Sequence, residues 1–361
     1  MTSDEVRAQF PVLERFAYLN AGTFGPLATR TVDAMHERVQ RDAELGRGGK
    51  PYYDGMSELR GRVRALLAAE LGVEAERVAL TSSTSDGCSI VLAGLDLGPE
   101  DEVVTTDSEH FGLLAPLQAS GARMRIARLR GRPAEEAFDA IVAETGPRTR
   151  LLALSHVTWT TGHVLPIAEL KEHVSAPMLV DGAQSVGAIP IDASVFDFYT
   201  VSGQKWLCGP DATGGLFVAD PERLRIARPS SFSQHSYTET NFEPKAGANR
   251  FDSGWIAMAS LAGLEAALTD LPEWRFERAR EMTARCREVL AREFEVVTEP
   301  DQATLVSFRF EGDTAALTVR AYERGVIVRD LPGLGWLRAS CGYWTNEADL
   351  QRLSEALRPQ S

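Results

Sequence analysis

Over residues 29–45 and 55–71, apolar side chains recur at helical spacing, as in Val63, Leu66, Leu67 and Leu71. Short apolar and β-branched runs follow: RVALT (77–81), EVVTT (102–106), RMRIARL (123–129), RLLALSHV (150–157), PMLVD (177–181), DFYTVS (197–202) and GGLFVAD (214–220). Helical segments separate most of the earlier runs. Strand and helix alternating over this length predict an α/β domain around a mostly parallel sheet. The last two runs lie too close together for a helical crossover, so at least one local reversal is expected there.

Residues 228–254, rich in Ser, Thr and Asn, have no such period. A long irregular stretch inside a compact protein is usually functional or disordered, and this one is expected to form part of a pocket wall. The pattern then restarts, with helices near 256–270 and 272–294, strands near 303–310, 325–329 and 336–340, and a last helix at 346–358. That half reads as a smaller α+β unit.

Composition narrows the class without naming it. A chain of 361 residues suggests roughly two domains of about 150 residues each. With 44% hydrophobic and 25% charged residues it has material for a large core. The formal net charge of −13 opposes binding to nucleic acid or to an anionic membrane. No apolar run reaches the ~18 residues of a membrane span. The opening MTSDEVRAQFPVLERF lacks the basic and apolar regions of a signal peptide, so a cytoplasmic location is expected. Cysteines at 88, 208, 286 and 341 form no close pair, which suits a reducing compartment and gives no disulfide or zinc pattern. The histidines show no metal-binding spacing, and no metal is expected.

In open α/β sheets ligands bind at the carboxyl ends of the strands, so polar residues just past strands are the ones to weigh. LTSSTSDG (80–87) follows a strand and opens a helix, where it is either a plain cap or an anion site. It is neither a dinucleotide fingerprint nor a P-loop. In TTDSEHFG (105–112), His110 is either structural or a flat face for an aromatic ligand. In MLVDGAQS (178–185), Asp181 ends an apolar run, as a cap or as a desolvated carboxylate in need of a partner. In VSGQKWLCG (201–209), Lys205 is either a solvated charge or an amine made nucleophilic by its apolar neighbours. Arg329 and Arg338 end or occupy strand-like runs, as structural ion pairs or as carboxylate clamps. Taken together, a phosphate cradle, a stacking imidazole, a carboxylate for a ring nitrogen and an amine for an aldehyde are what pyridoxal 5′-phosphate requires.

The ordered set AYLNAGTFGP, LTSSTSDG, EVVTTDSEHFG, LLALSHVTWTTG, MLVDGAQSVGAIPID, FYTVSGQKWLCGPDATGGLFV, RFDSG and LRASCGYWTNEADL resembles the class V aminotransferase superfamily of fold-type I pyridoxal-phosphate enzymes, which includes the cysteine desulfurases. The resemblance covers nearly the whole chain. It implies a large cofactor-binding domain (21–255), a small C-terminal domain (256–361) and an N-terminal segment (1–20) packing with the latter. It implies Lys205 as the Schiff-base lysine, Asp181 on the pyridine nitrogen, Gln184 on the phenolic oxygen and His110 stacked on the ring. It further implies Thr84, Ser85, Ser202 and Gln204 on the phosphate, Arg338 on the substrate carboxylate, and a homodimer with shared active sites.

Three departures qualify it. The segment RGVIVRDLPGLGW, just before Arg338, lacks the cysteine on which desulfurases form a persulfide. Trp159 stands where many relatives have Asn, and Trp255 follows Gly254 where a Thr often reaches the partner's phosphate. VIVRDLPG and LRASCGYWT, with the paired arginines 329 and 338, and KWLCGPDATGG are more similar to the cystine C–S lyase branch. The expected activity is therefore β-elimination from cysteine, cystine or an S-substituted cysteine, giving pyruvate and ammonia. An aminotransferase or an amino-acid epimerase is the alternative, and a persulfide-forming desulfurase is disfavoured by the missing cysteine.

Overall fold

In the computed structural model, which describes residues 1–236 and 238–358, the seven apolar runs become strands in the expected places. After a short strand that was not expected, β1 (Ala17–Tyr18), they are β2 (Val78–Thr81), β3 (Glu102–Thr106), β4 (Arg123–Ala127), β5 (Thr149–Ser155), β6 (Met178–Asp181), β7 (Phe198–Ser202) and β8 (Gly214–Val218). All but β1 join one seven-stranded sheet of order β2-β8-β7-β6-β5-β3-β4. Its neighbours from β4 to β7 pair in parallel. The reversal falls at β8, which is antiparallel to both β7 and β2.

β6 and β7 are buried along their whole length, because helices cover both faces of a parallel sheet. One face packs Leu152, Leu154, Val180 and Val201 against Leu59, Val63 and Leu67. The other packs Val103, Leu151, Leu179 and Leu216 against Ile90, Val91 and Leu113. The helix expected from residue 55 begins earlier and runs Gly49–Leu71, since Pro51 lies in its first turn, where no backbone N–H is required. It ends at Gly72, whose φ of 68° closes the last turn through its N–H to the carbonyls of Ala68 and Ala69.

After helices Met258–Leu268 and Arg275–Leu290, the chain forms β9 (Leu305–Arg309), β10 (Val326–Ile327), β11 (Arg329–Leu331) and β12 (Trp336–Ser340), then the helix Glu347–Leu357. The single strand expected at 325–329 is divided at Val328. Its first half pairs in parallel with β1, through Ala17 opposite Val326. Its second half enters an antiparallel sheet of order β11-β12-β9. The cause is the N-terminal segment: β1 takes up the backbone groups on one side of Val328, and the hairpin through Gly333 and Gly335 takes up those on the other. The Arg7 guanidinium fixes the same segment by donating to both carboxylate oxygens of Asp349, at 2.6 and 2.9 Å. Among the described residues no helix is long and apolar enough to cross a membrane.

Candidate active site

Because β6 and β7 are adjacent, their carboxyl ends open into one crevice. Asp181 is the last residue of β6 and lies opposite Thr200 of β7. It is 3% exposed and accepts a hydrogen bond from the Ala183 N–H at 2.9 Å. Burial pushes its pKa up, while the Lys205 charge opposes that shift.

Past β7 the backbone folds back on itself. Gly203 N–H donates to the Thr213 carbonyl and Gly209 N–H to the Gly203 carbonyl, each at 2.9 Å. A Cβ at Gly203 would come 2.2 Å from the Thr213 hydroxyl, so only glycine fits this turn. The turn presents Lys205, whose flanks Trp206 and Leu207 are buried. Among the described residues no carboxylate lies within ion-pair distance of its amine. Burial lowers the Lys205 pKa to about 8, Asp181 works against that, and Arg338 and Arg329 add to it. The side chain is half-buried, so the amine is partly desolvated rather than a freely solvated surface charge.

The next strands bring the anion-site candidates to the same place. Thr81, Gly214 and Ser202 form one row across β2, β8 and β7. A Cβ at Gly214 would sit 3.3 Å from the Ser83 Cα, so the missing side chain lets the helix Thr84–Leu95 start beside Ser202. Ser83 caps that helix by accepting from the Asp86 N–H at 3.1 Å. The hydroxyls of Thr84 and Ser85 take no part in the cap and have no partner among the described residues. The Ser202 hydroxyl donates to Gln204 Oε1 at 2.8 Å. The segment 228–254 buttresses this corner: Arg228 pairs with Asp86 at 3.0 Å, and the Ser253 hydroxyl donates to the same carboxylate.

His110 caps the helix Phe111–Ala119, with its Nδ1 accepting from the Gly112 N–H at 3.0 Å. Burial, then the charges of Lys205, Arg329 and Arg338, lower its pKa to about 4, so the imidazole is neutral. Gln184 fills only half of its amide capacity, donating to the Gly22 carbonyl at 2.9 Å and accepting from Trp206 Nε1 at 3.0 Å.

Arg338 and Arg329 are direct cross-strand partners on β12 and β11. Arg338 is fully buried and donates from Nη1 to the Trp159 carbonyl at 2.7 Å, while its Nε has no partner. Neither guanidinium meets a carboxylate among the described residues, Asp330 included. A buried cation without a counter-charge is expensive, and burial together with Arg329 lowers the Arg338 pKa to about 9.

Two residues that sequence reasoning passed over belong to this site. Glu109 is buried beneath His110, bonded to the Thr106 hydroxyl at 2.7 Å and to the Ser155 N–H and hydroxyl. Thr23 touches both arginines. Each lies in a stretch already singled out, DSEHFG and NAGTFG; Glu109 sits just beyond an expected strand, which was an available signal, whereas Thr23 follows none.

These residues fit pyridoxal phosphate. An amine of lowered pKa faces the charge of a buried aspartate, a neutral imidazole stands nearby, and unpartnered hydroxyls line a helix start that a glycine leaves open. The chain matches the Aminotransferase class-V family over residues 25–353. It is 32% identical to the isopenicillin N epimerase of Streptomyces clavuligerus over 82% of this chain and 83% of that protein. It is 31% identical to a cysteine desulfurase of Enterobacter sp. (strain 638), covering 73% of this chain and 70% of that one. Two solved structures of C-DES are similar at 29% identity over 97% of this chain. One, a lysine-to-alanine mutant with glycine covalently linked to the PLP cofactor, has a TM-score of 0.91 and is covered over 98% of its length. The other, described as the cystine C–S lyase C-DES with its reaction product cysteine persulfide, has a TM-score of 0.90 and is covered over 99%. The chain belongs to the class V aminotransferase family, enzymes that work with pyridoxal phosphate.

Proposed function

We propose that the enzyme is a C–S lyase that eliminates the β-sulfur of cysteine, cystine or an S-substituted cysteine, leaving pyruvate and ammonia. The observation that carries the reading is the pair Arg329 and Arg338 beside Lys205, with no acidic partner on either among the described residues. A substrate carboxylate supplies the missing charge, and a cystine-like substrate with two carboxylates gives each guanidinium a task. Likeness to C-DES, a cystine C–S lyase, supports the same reading.

Pyridoxal phosphate, when bound, supplies an aldehyde that takes an amine and a protonated ring that draws electrons from the α-carbon. Thr84, Ser85, Ser202 and Gln204 would hold its phosphate. Asp181 would keep the ring nitrogen protonated, His110 would lie on the ring face, and the spare N–H of Gln184 would reach the phenolic oxygen. Arg338, with Arg329, grips the substrate carboxylate and so fixes the α-carbon over Lys205. The amine of Lys205, near its own pKa at neutral pH, takes the α-proton and holds it as an ammonium beside the negative charge of Asp181. The sulfur leaves on the substrate's own fragment, so no protein thiol is required. In keeping with this, the turn at 331–336 has no cysteine, and Cys208 is buried with its thiol pKa pushed up by burial.

An epimerase is the second reading, favoured by the similarity to isopenicillin N epimerase, and an aminotransferase shares the same first proton transfer. Incubation with cystine, cysteine and S-substituted cysteines separates them. Pyruvate formed without an added keto acid supports the lyase. Strict dependence on a keto acid, or inversion at the α-carbon without sulfur release, overturns it. A homodimer belongs to the same proposal: Phe111 and Trp255, 69% and 67% exposed, are large apolar surfaces near the site that a second copy would cover.

A further inference from the structure

Residues 20–25, NAGTFG, run between the arginine pair and the lysine turn. A Cβ at Gly22 would come 2.7 Å from Arg338 Nη2, and one at Gly25 would come 2.1 Å from the Lys205 carbonyl oxygen. The two glycines therefore let this strap lie directly against both. Gly25 N–H donates to the Gln204 carbonyl at 2.8 Å, Gln184 donates to the Gly22 carbonyl, and Asn20 bridges to Ser340.

At the middle of the strap, Thr23 Oγ1 accepts from Arg329 Nη1 at 3.1 Å and from Arg338 Nη2 at 3.3 Å, and donates its proton to Asn20 Oδ1 at 2.8 Å. A hydroxyl has one proton and two lone pairs, and here all three are in use. Like charges on facing strand positions repel. A neutral oxygen placed between the two guanidiniums draws them to a common point without neutralising either, and Arg338 Nε is left free.

We propose that Thr23 is a positioning residue for substrate: its hydroxyl sets the spacing and aim of Arg329 and Arg338, so that an incoming carboxylate finds both already in place. The inference rests on the reading that this pair binds the carboxylate, and is independent of which substrate bond then breaks. It acts through preorganisation, since two guanidiniums held in one geometry lose less freedom on binding.

The test uses the holoenzyme with glycine as probe, a carboxylate-bearing amino acid with nothing to eliminate, titrated while the cofactor absorbance is followed. Steady-state constants for cystine are measured alongside. Thr23→Val, which keeps the shape and loses the hydroxyl, weakens glycine binding and raises KM by about tenfold, the worth of a hydrogen bond to a charged group, with kcat moving far less. Thr23→Ser restores both. Thr23→Ala gives the same reading if the valine variant does not fold. Arg338→Lys serves as the reference. Should it weaken glycine binding while Thr23→Val does not, the role of Thr23 is overturned and the arginine reading stands. Should Arg338→Lys itself bind glycine normally, the arginine reading goes and this inference with it. A serine variant as weak as the valine variant also overturns the proposal, because the methyl packing rather than the hydroxyl would then matter.

Discussion

His110 and Trp159 meet edge to face, with 5.1 Å between ring centroids and an interplanar angle of 89°. The indole also stands 5.6 Å from the Arg329 guanidinium and donates to the Glu109 carbonyl at 3.3 Å, while the Trp159 backbone carbonyl accepts from Arg338. One residue thus joins the face that would stack on the cofactor to the groups that would hold substrate. Trp159→Asn removes the ring from a site only 7% exposed. Stability should fall by about 3 kcal/mol or more, and KM should rise as Arg329 loses its aromatic support. Denaturant unfolding and steady-state kinetics check the two effects. An unchanged KM would refute the link between Trp159 and the arginine.

The lowered pKa of Lys205 has a directional consequence. In the cofactor-free protein the nucleophilic, neutral amine gains population as pH rises through about 8, so the rate of pyridoxal phosphate uptake should climb between pH 6 and 9 and then level off. Asp181→Asn removes the charge that holds this pKa up, so the climb should move to lower pH. Absorbance during reconstitution measures both. Borohydride treatment of the holoenzyme should tag Lys205, and Lys205→Ala should abolish turnover. A flat uptake profile in the wild type would sink the assignment of Lys205.

Glu109 makes stability depend on pH. Burial raises its pKa from 4.5 to about 7, against the hydrogen bonds from Ser155 and Thr106 and with a further rise from Asp181. A group whose folded pKa is raised stabilises the fold fully below its unfolded value, and that contribution is lost as pH rises through the folded one. The advantage of the wild type over Glu109→Gln should therefore shrink between pH 4.5 and 8, by an amount on the order of 3 kcal/mol. Unfolding free energies at several pH values decide the matter, and parallel curves would contradict it.

Asp252 ties the irregular segment to the large sheet. It pairs with Arg60 at 2.8 Å and Arg64 at 2.9 Å, and accepts from the Leu80 N–H at 2.9 Å. Asp252→Ala strands two buried guanidiniums and should cost about 3–5 kcal/mol. Melting curves with and without pyridoxal phosphate test it, and a loss below 1 kcal/mol would show that water replaces the carboxylate.

Much of the large sheet could be read along the chain, because strands buried on both faces are continuous apolar runs and their polar punctuation marks the crevice. Asp181 and Lys205 are conspicuous for that reason, each sitting just past such a run. The division at Val328 was not visible: VIVRDL is an unbroken strand pattern, and only the arrival of Ala17 and Tyr18 from the other end of the sequence assigns its halves to different sheets. Thr23 was hidden for a related cause. A threonine in a glycine-bearing loop has no local oddity, and its meaning comes from two arginines more than three hundred positions away. Trp159 could be noticed as an unusual residue, but its neighbours could not be deduced from spacing.

The docking of Leu19 and Asn20 onto Ser340 orders events during synthesis. The seat for this early stretch exists only once β12 has formed. A chain halted ahead of Trp336 would hold the reactive amine, its acidic neighbour and Arg329, yet it would lack Arg338 and the strand against which the stretch carrying Thr23 settles. The grip on an amino acid would then be half built.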